Sequence, residues 1–103
     1  MSRFRTRSDA NQKEIDIALR AVGASVIPLG NVGRGCPDRL VGYKGETFLI
    51  ETKNKNAHAR RVGDKANHLR TEAQMEFHAS WQGRPIVIVY SIEEALETIG
   101  AKN

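Results

Sequence analysis

Cysteine, proline and long hydrophobic stretches are all scarce in this chain of 103 residues. The single cysteine, Cys36, cannot form an intramolecular disulfide, and no group of cysteine and histidine residues has zinc-site spacing. No apolar run is long enough to span a membrane, and the arginine-rich start lacks the apolar stretch of a signal peptide. We therefore expect a protein of the reducing cytoplasm with no membrane partner.

Positive charge is more abundant than negative charge. The 16 lysine and arginine residues outnumber the 12 acidic residues, which gives a net charge of +4. An excess of this sign favours a polyanionic partner such as nucleic acid. The length and the 40% hydrophobic content suit one globular domain. We predict a single domain over 1–103, with a flexible basic arm at 1–7 and a basic loop at 54–70.

Helix and strand signals occur in the order α-β-β-β-α-β-α. Capping boxes at Asp9 and Thr71 open two helices, and Ser91 caps a third. Pro28 cannot donate to a strand ladder, which predicts that the first strand lies at a sheet edge. The predicted bounds are 9–22, 71–81 and 91–99 for the helices, and 24–29, 39–43, 47–52 and 84–90 for the strands.

The two middle strands are predicted to form an antiparallel hairpin with a two-residue turn at 44–45. That register sets Asp38 directly opposite Glu51, and opposed residues have Cβ atoms roughly 4.5–5.5 Å apart. Because side chains alternate along a strand, Lys53 shares the face of Glu51, and Thr52 points into the opposite layer.

Two carboxylates this close repel each other unless a positive charge lies between them. Mg²⁺ prefers oxygen ligands and is usually bound by one or two carboxylates together with substrate phosphates. The pattern of Asp38, Glu51 and Lys53 therefore predicts metal-dependent hydrolysis of a phosphodiester. The alternative interpretation is a set of solvated residues at strand ends.

Two segments carry a family resemblance: Gly35-Cys36-Pro37-Asp38 and Glu51-Thr52-Lys53. Together they resemble the active-site signature of the PD-(D/E)xK nuclease superfamily. The flanking sequence resembles the stand-alone phage VRR-NUC (virus-type replication-repair nuclease) domains, notably in Asp9-Ala10-Asn11-Gln12 and Trp81-Gln82-Gly83. The resemblance implies an α/β fold with a restriction-endonuclease-like αβββαβ core, a small mixed sheet flanked by helices, and a C-terminal helix. It also implies Mg²⁺- or Mn²⁺-dependent DNA cleavage by a homodimer similar to Holliday-junction resolvases, encoded by a phage or prophage.

The resemblance also implies roles for individual residues. The implied catalytic residues are Asp38, Glu51, Lys53, Gln74 and Glu14, and the implied metal ligands are Asp38, Glu51, Thr52 through its carbonyl oxygen, and Glu14. Gln12 is a rival to Glu14, because it lies three residues before Ile15 on the core-facing line of the first helix. Gln74 has a second interpretation, in which it only completes the capping box with Thr71.

Six basic residues are the predicted DNA contacts: Lys55, Arg60, Arg61, Lys65, Arg70 and Arg34. Lysine and arginine neutralise phosphates without reading sequence. No recognition helix with base-reading side chains is evident, so we expect cleavage selective for branched DNA. A non-catalytic DNA-binding module with the same fold is the alternative. Phe77 and Trp81 lie on an apolar helical stripe and are predicted to be core residues, and stacking on DNA bases is the alternative.

Overall fold

The structure is a computed structural model that describes residues 7–54 and 71–101. The described residues form helices and strands in the predicted order. Their bounds are Arg7–Ala21 (α1), Ser25–Pro28 (β1), Arg39–Tyr43 (β2), Glu46–Thr52 (β3), Glu72–Ser80 (α2), Val87–Val89 (β4) and Ile92–Ile99 (α3). In this part of the chain, no helix has the length and apolar content needed to cross a membrane. Residues 1–6 of the predicted basic arm and 55–70 of the predicted basic loop lie outside the described residues.

The ends of the helices follow the capping signals in most places. Thr71 forms a complete capping box at α2, and the Ser91 hydroxyl accepts the Glu94 N–H in the first turn of α3. Gly23, two residues after the last residue of α1, adopts a φ of +99°, as a helix-ending glycine does. The capping box predicted at Asp9 is wrong, because α1 already begins at Arg7.

The four strands form one mixed sheet in the order β1-β2-β3-β4. Strand β2 runs antiparallel to both β1 and β3, and β4 is parallel to β3. The hairpin turn has the predicted two residues, with φ of +49° at Lys44 and +84° at Gly45. Tight hairpin turns require positive φ at both positions. The observed register places Arg39 opposite Ile50, so one further step sets Asp38 opposite Glu51.

Strand β1 lies at the edge of the sheet, as Pro28 predicted. Its outer side is partly covered by α1, because the Arg20 guanidinium donates a hydrogen bond from Nη2 to the Val26 carbonyl at 3.1 Å. Ile27 of the same strand is 52% exposed.

One face of the sheet packs against α1 and α3 and forms the hydrophobic core. Its most deeply buried members come from both helices and from the strands between them: Ile15, Leu19, Val41, Ile50, Val89 and Ala95. This packing fixes α1 against the middle of the sheet, so the polar residues near the start of α1 lie over the end of β3.

The opposite face of the sheet is covered by α2, which contains no buried residue. A cavity of about 400 Å³ is lined by residues of both, including Leu40, Leu49, Phe77 and Trp81. Phe77 and Trp81 stack on each other with ring centroids 5.5 Å apart, but Trp81 is 42% exposed. The prediction that Trp81 is a core residue is therefore wrong. This face ends in the polar Glu51, which limits the apolar area that α2 can bury.

Candidate active site

Most of the predicted catalytic residues meet at one end of the sheet, where β2 begins and β3 ends. Asp38 lies directly before β2, and Glu51 and Thr52 are the last two residues of β3. Lys53 follows, and its N–H donates to the Val89 carbonyl of β4 at 2.9 Å. Helix α1 reaches this end from one face of the sheet and α2 from the other.

The Asp38 carboxylate is held by donors from two elements. The Thr52 N–H and hydroxyl donate to it, with donor–acceptor distances of 3.2–3.3 Å to both carboxylate oxygens. From α1, Gln12 Nε2 donates to Oδ2 at 3.1 Å. The main-chain carbonyl of Asp38 is also fixed, because it accepts from the Leu29 N–H at 2.8 Å and from Arg39 Nη1 at 2.7 Å.

The Thr52 side chain, predicted to point into the layer opposite to Glu51, contacts the Asp38 carboxylate. Thr52 does alternate with Glu51, but the Asp38 carboxylate leans towards the Thr52 side. Asp38 precedes the first residue of β2, so the pleat of the strand does not fix the direction of its side chain.

The charge of Asp38 is incompletely compensated. Burial raises the pKa of the Asp38 carboxyl above its usual value, against smaller lowering effects of the Thr52 N–H, the Arg39 charge, the Thr52 hydroxyl and the Gln12 amide. A carboxylate in this state is stabilised by a further positive charge beside it.

A second cluster joins Glu51, Lys53 and Gln74 on the α2 side of the sheet. Lys53 Nζ lies 3.3 Å from Glu51 Oε2, and the Glu51 side chain is only 3% exposed. Gln74 Nε2 donates to the same carboxylate oxygen. Gln74 Oε1 lies 3.5 Å from Lys53 Nζ. Glu51 and Lys53 therefore share a face, as the strand alternation predicted.

Gln74 both completes the capping box and contacts the Glu51 carboxylate. Its Oε1 accepts the Thr71 N–H at 2.9 Å, and its own N–H donates to the Thr71 hydroxyl at 3.1 Å, which completes the capping box. At the same time, the side-chain amide nitrogen donates to Glu51. The cap thus holds the Gln74 amide in the orientation that contacts Glu51.

The loop before Asp38 touches the start of α2. Gly35 has a φ of +76°, and a Cβ atom at this position would lie 2.1 Å from the Ala73 carbonyl oxygen. Only a glycine allows this approach of two backbone segments. The position of Gln74, the next residue along α2, therefore depends on the glycine three residues before Asp38.

Helix α1 brings Gln12 to the site and leaves Glu14 on its exposed side. This arrangement favours Gln12 over Glu14, the predicted catalytic residue and metal ligand. Asn11 also reaches the site: its Nδ2 donates to the Lys53 carbonyl at 2.7 Å and lies 3.4 Å from the Tyr90 carbonyl oxygen. Sequence reasoning missed Asn11, although a polar residue beside Gln12 and one turn before the buried Ile15 was a usable signal.

A buried ion pair also links α1 to the start of β2. Arg39 Nε and Nη2 donate to the two carboxylate oxygens of Asp16 at 2.8 Å and 2.9 Å. The side chains of Arg39 and Asp16 are 10% and 14% exposed. The sequence offered no signal for this pair, because its members are 23 residues apart.

The donor set suits a hard divalent cation. Among the described residues, no three histidine, cysteine or acidic side chains cluster closely enough to form a metal cage. The oxygen donors at hand are Asp38, Glu51 and the Thr52 carbonyl, a set typical of Mg²⁺ sites that also use water and substrate phosphate.

Burial raises the pKa of the Cys36 thiol, and the negative charges of Glu51 and Asp38 raise this pKa further. Both carboxylates therefore act on one neighbouring side chain.

The predicted DNA contacts are only partly described. Arg34 is exposed in the glycine-rich loop before Asp38, with a φ of +59°. The other five, Lys55, Arg60, Arg61, Lys65 and Arg70, lie outside the described residues, and their DNA contacts stay predictions.

No family model and no curated protein matches the chain. A solved structure described as a VRR_NUC domain is similar, with a TM-score of 0.65 and 25% sequence identity. The match covers 92% of this chain and 96% of that one, so the likeness extends over the whole domain. It agrees with the mixed sheet and the flanking helices described above. The chain therefore has the restriction-endonuclease-like fold of a VRR-NUC nuclease domain.

Proposed function

We propose that this protein is a metal-dependent DNA endonuclease that hydrolyses phosphodiester bonds. The observation that carries the proposal is the meeting of Asp38, Glu51 and Lys53 at one end of the sheet of a nuclease-type fold. A solvated strand end would not bury Glu51 to 2% exposure or hold Asp38 with three donor groups from two elements.

We assign the metal site to Asp38, Glu51 and the Thr52 carbonyl, with Mg²⁺ or Mn²⁺ as the ion. A bound ion of this kind lowers the pKa of its water and offsets charge on the phosphoryl group. Gln12 orients the Asp38 carboxylate from α1, the helix on which Glu14 is the predicted metal ligand. The incomplete compensation of the Asp38 charge supports a cation at this position.

Lys53 and Gln74 act on the other side of the metal site. The contacts of Lys53 Nζ with Glu51 and Gln74 hold its positive charge beside the carboxylate, where it can stabilise the attacked phosphate. Gln74 orients Glu51, because its amide is itself fixed by the cap of α2. Removing one such preorganised electrostatic contact typically lowers kcat by about 10²–10³-fold.

We further propose that the substrate is branched DNA and that the active form is a homodimer. The net charge of +4 and the exposed Arg34 support a phosphate-binding surface without sequence readout. A symmetric four-way junction has two equivalent scissile phosphates, and a two-fold dimer places one active site on each.

Cleavage of a labelled four-way junction tests this proposal. Linear duplex and single strand serve as comparison substrates, each with Mg²⁺, Mn²⁺ or EDTA. We expect paired, symmetric cuts by the wild type with metal and none by Asp38→Ala. The control is Glu97→Gln, which removes one negative charge from an exposed position on α3 and should cut like the wild type.

Other outcomes separate the parts of the proposal. Equal cutting of all substrates would keep the nuclease and remove the junction selectivity. DNA binding without cleavage under any metal would favour the alternative, a non-catalytic DNA-binding module. Light scattering that gives only the 11.4 kDa mass of one chain would overturn the homodimer.

A further inference from the structure

Arg39 makes contacts on both sides of its guanidinium group. Two of its nitrogens bind the two oxygens of Asp16 on α1, and the third, Nη1, donates to the main-chain carbonyl of Asp38. Asp38 is the residue directly before it and the metal ligand of the proposed function. The side chain of Arg39 thus connects α1 to the backbone of that ligand.

We propose that Asp16 and Arg39 form a positioning pair that sets where the Asp38 carboxylate stands relative to α1, and thereby the affinity of the site for its divalent cation. This inference rests on the proposed function. Neither residue touches the metal or the DNA, and both act through Asp38.

The geometry of α1 supports this role. Gln12 and Asp16 are four residues apart, so they lie on the same face of the helix, one turn from each other. Gln12 binds the Asp38 carboxylate directly, and Asp16 binds the Asp38 carbonyl through Arg39. One rigid helix therefore fixes both ends of the same residue, which restricts its rotation as well as its position.

The third contact of Arg39 is a second hydrogen bond to one oxygen atom. The Asp38 carbonyl already accepts the Leu29 N–H at 2.8 Å, so Arg39 Nη1 further restrains an atom that the edge strand already holds. A buried ion pair is also weak evidence for stability, because apolar residues of similar volume often replace one without loss. Residues that orient a metal ligand typically change metal affinity or activity by about 10–100-fold when they are mutated.

The test uses a double variant, Asp16→Leu with Arg39→Met, which replaces the buried charges with apolar side chains and removes the donor to Asp38. Its melting temperature in EDTA reports folding, and the rise of that temperature during Mn²⁺ and Mg²⁺ titrations reports metal affinity without turnover. Arg39→Lys is a second variant, which keeps the charge but not the forked donors. The control is Arg20→Met, which removes the other arginine contact of α1 with the sheet, at the Val26 carbonyl.

We expect the double variant to fold and to need about 10–100-fold more metal than the wild type for the same rise in melting temperature. Cleavage at a fixed low metal concentration should fall and should partly recover at high metal. Arg39→Lys should need the same increase in metal concentration for that rise in melting temperature. If the double variant does not fold, Arg39→Lys alone tests whether the pair affects metal affinity. Arg20→Met should leave the metal curve unchanged.

The inference would be overturned if both variants fold and their melting temperatures rise with metal concentration as the wild type's does. That result would leave the proposed function intact. A wild type that shows neither a metal-dependent rise nor metal-dependent cleavage would overturn the proposed function, and this inference with it.

Discussion

The glycine at position 35 gives the sharpest test of how the site is assembled. Replacing Gly35 with alanine places a Cβ atom 2.1 Å from the Ala73 carbonyl oxygen and 2.7 Å from the Gln74 nitrogen, whereas real Cβ contacts are essentially never shorter than 3.0 Å. The obstacle is backbone, which cannot rotate away, so the first turn of α2 must shift. Gln74 then moves away from Glu51 and Lys53.

Two effects contribute to the loss. The positive φ of Gly35 costs an alanine roughly 1–2 kcal/mol. The displacement of α2 adds to this and acts on catalysis, because a misplacement of about 1 Å in an active site can lower the rate about 10²-fold. We therefore expect Gly35→Ala to melt several degrees lower and to cleave DNA about 10²-fold more slowly.

Gly33 provides a matched control in the same loop. It has a φ of +80°, but a Cβ atom there would meet nothing within 4 Å. Gly33→Ala should show the backbone cost alone, a melting temperature lower by roughly 4–8 °C for each kcal/mol, with cleavage close to that of the wild type. Thermal melts and cleavage time courses of both variants make the comparison. Equal rates for Gly35→Ala and Gly33→Ala would refute the proposed dependence of Gln74 on this loop.

Three further predictions concern the polar residues of the site. Because burial raises the pKa of Asp38 in the folded protein, its contribution to stability is full below the unfolded pKa of about 3.9 and is lost as the pH rises through the folded pKa. Asp38→Asn should therefore melt at or above the wild-type temperature at pH 7.5 in EDTA, and its melting temperature should not rise with Mn²⁺. A melting temperature below that of the wild type would contradict the destabilising effect of the Asp38 charge. Gln12→Ala should lose about 10-fold in cleavage rate or metal affinity, whereas Glu14→Gln should match the wild type. A loss in Glu14→Gln with a wild-type rate in Gln12→Ala would show that Glu14 is the residue of α1 that acts at the site. Thr71→Ala should lower stability by about 1 kcal/mol with cleavage largely retained, whereas Gln74→Ala should lower both the stability and the cleavage rate. Equal cleavage rates for the two variants would mean that Gln74 acts only in the helix cap.

The parts of the site that depend on local sequence were predictable. The two-residue turn at Lys44 and Gly45 fixes the hairpin register, and the register sets Asp38 opposite Glu51. The alternation of side chains then places Lys53 beside Glu51. The capping box of α2 was also readable, because its hydrogen bonds join residues three positions apart.

The remaining features depend on how α1 is rotated against the sheet, which no local pattern fixes. Gln12 and Glu14 are two residues apart on one helix, and only the packing of Ile15 and Leu19 decides which of them faces Asp38. The ion pair of Asp16 with Arg39 follows from the same rotation. These contacts join segments more than 20 residues apart.

The outer edge of β1 offers a poor template for a further strand. Pro28 has no N–H to give to a neighbour, and the Val26 carbonyl is already bound by Arg20. A strand that paired there would have to displace the arginine and would still miss a hydrogen bond at the proline, a pattern that protects sheet edges from unwanted pairing. Of the two edges of the sheet that the described residues form, β4, the strand next to the one that carries Glu51, is therefore better suited than β1 to pair with a further strand.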